Sequence, residues 1–175
     1  MALIVLLRGM NVGGHRAFRP TLLARELEAF DVVNIGASGT FVVRNPGSRA
    51  HLRAAMRSRL PPAAQFVLCE GRDLLELAAR TPFDEPSPDP DLIRFVSFLA
   101  SASRARPSLP LTIPQGRDWF VRVTTVTNRL AIGEYRRHMK TISHLGQLDA
   151  VFGTLVTTRN WKTVSAIVRT LEAAE

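Results

Sequence analysis

Ala2-Leu3-Ile4-Val5-Leu6-Leu7-Arg8-Gly9-Met10-Asn11-Val12-Gly13-Gly14 runs from hydrocarbon into a glycine-rich loop within a few residues. The apolar run from Ala2 to Leu7 has no alternation, the pattern of a β-strand covered on both faces. Arg8 brings a charge to its end, where a sheet meets solvent. Gly9, Gly13 and Gly14 permit positive φ and close approach to the backbone. Successive N–H groups in such a loop form an anion-binding concavity, and an arginine beside it adds a forked donor. A tight turn whose glycines only satisfy geometry gives the same pattern. Known phosphate fingerprints do not fit: Gly14 is followed by His15-Arg16 rather than Lys-Ser/Thr, and Asn11 stands where a dinucleotide loop needs glycine.

Outward from this strand, residues 20–30 read as a helix, with Pro20 in its first turn and Leu23, Leu27 and Phe30 at helical spacing. Residues 32–35 and 40–44 read as strands around Gly36-Ala37-Ser38-Gly39. Ser48 is the expected N-cap of a helix reaching residue 59. A strand at 66–69 and a helix at 72–80 follow. This order is βαββαβ with an extra helix, a ferredoxin-like layer of helices on an antiparallel sheet. Residues 81–91 hold Pro82, Pro86, Pro88 and Pro90 with Asp84, Glu85, Asp89 and Asp91, and read as an extended acidic linker.

The second half repeats the outline. A strand at 93–99, a helical turn at 102–106 and an irregular connection to 116 lead to a hairpin of 119–126 and 129–132. A helix at 144–152, a short strand at 154–158 and a final helix at 161–171 complete it. The expected fold class is α+β, two ferredoxin-like βαββαβ lobes with helices packed on one face of each antiparallel sheet. The expected lobes are residues 1–80 and 92–175, joined by 81–91.

The chain of 175 residues carries a formal charge of +8, distributed as +5 before the linker, −4 within it and +7 after it. Only Lys140 and Lys162 are lysines, so the basic surface is almost wholly arginine, which suits an acidic partner and equally a GC-rich genome. Cys69 is alone, which excludes an internal disulfide and points to a reducing cytoplasm. No run approaches transmembrane length, and the apolar start is too short and lacks the basic lead-in of a signal peptide. His15, His51, His138 and His144 share no ligand spacing, so neither metal nor cofactor is expected. Trp119, Phe120 and Arg122 on a sheet offer a stacking surface for nucleic acid, although the adjacent rings should face opposite ways.

The second dense motif is Thr157-Thr158-Arg159-Asn160-Trp161-Lys162-Thr163-Val164. Asn160 caps the helix that follows, whose start attracts an anion, and Arg159 and Lys162 add to the pull. A purely structural cap is the competing reading. With the glycine loop and Ser38-Gly39, this motif makes the chain resemble the bacterial domain of unknown function 1697 family over nearly its whole length. The resemblance implies a two-lobed α/β protein and no assigned activity. Members usually carry Gln-Ser-Gly-Asn where Ala37-Ser38-Gly39-Thr40 stands here, a departure that bears on any ligand those amides would hold.

The expected site is therefore Arg8, Gly9, Asn11, Gly13, Gly14, Ser38, Arg159 and Asn160, binding a phosphorylated or otherwise anionic small molecule. Nucleic acid bound without sequence preference is the second candidate, and an enzyme acting on a small phosphorylated substrate the third. No membrane partner is expected.

Overall fold

The computed structural model describes residues 1–9, 19–80 and 87–173. It is a mixed α/β protein with two antiparallel sheets and accompanying helices. The chain divides into two compact units, Met1–Ala79 with Ala166–Glu175, and Arg80–Ser165. The expected division assigned the whole last helix to the second lobe, whereas here its second half groups with the first unit.

In the first unit β1 (Leu3–Arg8) leads to α1 (Pro20–Glu26) and a 3-10 turn (Glu28–Phe30), then β2 (Val32–Asn34) and β3 (Thr40–Val43). α2 (Arg49–Arg59), β4 (Gln65–Glu70) and α3 (Gly71–Arg80) follow. The sheet order is β2-β3-β1-β4, so the most apolar strand is central. Leu3, Val5 and Leu7 pack with Leu27, Leu52 and Met56 of the helical layer. Ile4 and Leu6, on the opposite face, are also fully buried. That two-sided burial is what the unalternating run predicts. The Ser48 side chain accepts from His51 N at 3.1 Å, satisfying an otherwise orphaned donor of α2.

In the second unit β5 (Leu92–Leu99), β6 (Leu111–Ile113), β7 (Val121–Val126) and β8 (Leu130–Arg136) precede α4 (Thr141–Gly146) and α5 (Leu148–Phe152). β9 (Val156–Asn160) then runs directly into α6 (Trp161–Glu172), the helix shared with the first unit. The order is β6-β7-β8-β5-β9, with a bulge in β7 between Val123 and Thr125. Phe95, Leu99, Val121 and Val123 meet Leu148 and Phe152 in the core. Gly133 lies so close to its neighbour strand that a Cβ would run into the Arg122 carbonyl and the Phe95 ring.

Three local expectations are corrected. Residues 102–106 form no helical turn, because Ser103 binds locally to Ala105 instead. The connection read as irregular contains the strand β6. The helix expected at 144–152 is two short ones, broken at Gln147, whose N–H turns back to His144 O at 3.1 Å.

Candidate functional site

At the end of β1 the sheet register brings separate motifs together. Leu6 stands opposite Thr40 and Arg8 opposite Gln65. Leu7 N donates to Gly39 O at 2.8 Å, which fastens the Ser38-Gly39 turn against the strand exit. Gly39 has φ +69, and a Cβ there would lie 2.8 Å from Leu7 Cβ, so the turn needs glycine for both torsion and space. Gly9 also has positive φ, +65, but faces open space. Arg8, Gly9 and Ser38 therefore share one end of the first sheet, and Arg8 and Ser38 each make further interactions. Asn11, Gly13 and Gly14 lie outside the described residues.

Thr40 is fully buried and its hydroxyl lies 3.1 Å from that of Ser38. Ala37 is exposed. A buried hydroxyl thus ties the turn to itself.

In the second unit the sequence expectation splits. Asn160 is exposed and its Oδ1 accepts from Thr163 N at 3.0 Å, so it caps α6 as its type and spacing predict. Arg159 is not an exposed cation at a helix start. It belongs to β9 opposite Val96, is only 9% exposed, and donates from Nη1 to Thr157 Oγ1 at 3.0 Å and Thr158 O at 2.9 Å. Burial lowers its pKa from the usual value to about 10, which still leaves it charged at neutral pH.

The cleft beside Asn160 is lined by other residues. Its volume is about 310 Å³, with Leu92, Ile93 and Trp161 as the apolar lining and Arg94, Arg137 and Lys162 as cations around it. Ser87 and Asn160 complete the lining, and no carboxylate is among these residues. β5 supplies Leu92, Ile93 and Arg94. Arg137 follows the end of β8 and is held there by its N–H to Asp91 O at 2.8 Å. Trp161 and Lys162 open α6. Arg94 stands opposite Glu134 in the ladder and makes further interactions, and Glu134 is bonded to Arg122 at 2.6 Å. Tyr135, next to this group, has its pKa raised by burial, with Arg137 pulling the other way.

Sequence spacing located Asn160 and Lys162 but missed Arg94 and Arg137. The signal that could have found them is strand alternation, which puts Arg94 on the face of β5 away from the Phe95 core. The aromatic set proposed for stacking is engaged within the unit. Trp119 is 8% exposed, with the Arg122 and Arg136 guanidiniums each 4.5 Å from its ring centre. Phe120 stacks on His144, centroids 5.1 Å apart, and meets His138 at 4.9 Å.

Among the described residues no helix is long and apolar enough to cross a membrane. The fold matches that of a conserved bacterial protein from Streptococcus pneumoniae, with a TM-score of 0.64 over 98% of both chains. Identity is 19%, so this likeness concerns the fold alone. Among curated proteins there is no match. The family described as Protein of unknown function (DUF1697) matches residues 1–123, and the chain belongs to that family.

Proposed function

We propose that this is a cytoplasmic protein that binds a small anionic ligand, phosphorylated and carrying an apolar or aromatic part, in the cleft at the start of α6. One observation carries the reading: three cations from three parts of the second unit surround an apolar cavity at the amino end of a 12-residue helix. An anion there gains from charge-assisted donors and from the positive end of the helix dipole. Leu92, Ile93 and Trp161 give an attached ring a surface to cover. The end of β1, with Arg8, Gly9 and Ser38, is proposed as a separate anion contact, to which the sequence adds Asn11, Gly13 and Gly14.

We also infer that each unit is built on a ferredoxin-like core. The order β2-β3-β1-β4, and β7-β8-β5-β9 within the second sheet, supports a ferredoxin-like core in each. The connection from β5 to β7 replaces the first helix of the second core by the strand β6.

Phenyl phosphate tests the ligand reading against its two halves, phenol and inorganic phosphate. The whole molecule is expected to raise the melting temperature more than either half at equal concentration. Arg137→Ala and Lys162→Ala should each remove most of that increment. Equal stabilisation by inorganic phosphate alone would remove the apolar half of the proposal.

A further inference from the structure

Between β8 and α4 the chain makes a protruding knuckle at residues 137–142. Met139 at its tip is 91% exposed and Ile142 is 78% exposed, the two most exposed large apolar residues among those described. Single exposed apolar side chains are ordinary, but two within four positions, both almost bare, are not explained by a shortage of polar surface. The knuckle is held firmly. Thr141 Oγ1 donates to Arg136 O at 2.6 Å, Thr141 N to His138 O at 3.1 Å and Lys140 N to His138 Nδ1 at 3.1 Å. The His138 ring lies against Phe120, and Arg137 N is fastened to Asp91 O. Met139 and Ile142 are thus presented outward by a built turn.

The surrounding charge has one sign. From residue 135 to residue 148 the sequence has no Asp or Glu, and it carries Arg136, Arg137 and Lys140 besides His138 and His144. Among the described residues neither the Arg137 guanidinium nor the Lys140 ammonium has an ion-pair partner. Asp89 and Asp91, on the turn bonded to Arg137, carry negative charge on that side.

We propose that the 137–142 knuckle docks the protein on an anionic lipid surface, with Met139 and Ile142 entering the headgroup region and Lys140 meeting lipid phosphate. The occupant follows from the chemistry. A nucleic-acid backbone would satisfy the cations and leave two aliphatic side chains in water, and Phe120 is covered by two imidazole rings. A peptide partner would need a groove, and Met139 and Ile142 line none of the cleft beside them. An exposed apolar pair in a basic stretch of chain fits a soft, anionic, apolar-cored surface. This differs from spanning: the segment lies on the membrane and none of the described helices crosses it.

The test is flotation of the full chain with vesicles of phosphatidylcholine containing one-third phosphatidylglycerol, and with phosphatidylcholine alone. The protein should float with the anionic vesicles only, and high salt should release it. Met139→Ser/Ile142→Ser should lower the partition coefficient by roughly tenfold or more, and Lys140→Glu by roughly five- to tenfold. Both variants alter exposed side chains and should keep the wild-type circular dichroism and melting temperature. Leu109→Ser, an exposed apolar change outside the knuckle, should partition like the wild type. No flotation, or flotation unaffected by the double serine variant, overturns the proposal. A dimer in lipid-free buffer that the double serine variant converts to monomer also overturns it, in favour of a second copy as the occupant.

Discussion

Replacing Gly39 by alanine should destabilise the first unit far more than the same change at Gly9. Both glycines have positive φ, +69 and +65, so each alanine takes on the left-handed backbone strain of roughly 1–2 kcal/mol. They differ in space. At Gly9 the new methyl meets nothing within 4 Å, while at Gly39 it lies 2.8 Å from Leu7 Cβ and 3.1 Å from Leu7 Cδ1. Leu7 Cβ is fixed to a central strand whose N–H bonds Gly39 O, so no rotamer change relieves the contact. Overpacking of this kind costs a further ~1–3 kcal/mol. The expected loss is about 2–5 kcal/mol for Gly39→Ala against about 1–2 for Gly9→Ala, out of a total stability of order 5–15 kcal/mol. Trp119 and Trp161 both belong to the second unit, so tryptophan fluorescence would miss the effect. Amide hydrogen exchange at β1 and β3 reads it directly. If Gly39→Ala costs no more than Gly9→Ala, the close approach of turn and strand is wrong.

Other outcomes follow from the second unit. Asn160→Ala removes the acceptor for Thr163 N and should cost about 1 kcal/mol of stability by urea titration, and Asn160→Asp should restore most of it. Arg159→Met tests the buried guanidinium by pH. Its pKa is lowered to about 10 in the folded chain, so the charged form is disfavoured there by about 3 kcal/mol. Between about pH 6 and 9 folded and unfolded chains both hold this proton, and the stability difference between wild type and variant should be flat. Above about pH 10 the folded chain releases the proton first, the unfolded chain binds more, and the wild type should gain relative to the variant as pH rises. A slope below pH 9 would contradict that assignment.

Local chemistry makes much of the fold legible in the sequence. Ile4 and Leu6 are buried along with Leu3, Val5 and Leu7 because an unbroken apolar run has no face fit for water. Ser48 and Asn160 cap helices because their short side chains reach the donors three residues on. β6 was hidden because three residues between Pro110 and Pro114 carry too little pattern to separate a strand from a loop. Arg159 lies in a ladder rather than at an exposed helix start because β9 extends to Asn160, which the motif alone does not reveal. The cleft was only half visible. Asn160 and Lys162 lie in one motif, but Arg94 on β5 and Arg137 just beyond β8 meet through the register of those two strands. No local spacing in the chain encodes that pairing.

The proposed position of the ligand's anion is the cleft at the start of α6. Titration calorimetry of phenyl phosphate into the wild type, Arg137→Ala/Lys162→Ala and Arg8→Ala tests it most directly. The double variant should bind at least about tenfold more weakly, since charge-assisted contacts are the strong ones, while Arg8→Ala keeps the wild-type affinity. Unchanged binding by the double variant would rule out the cleft, and loss of binding in Arg8→Ala alone would place the anion at the end of β1.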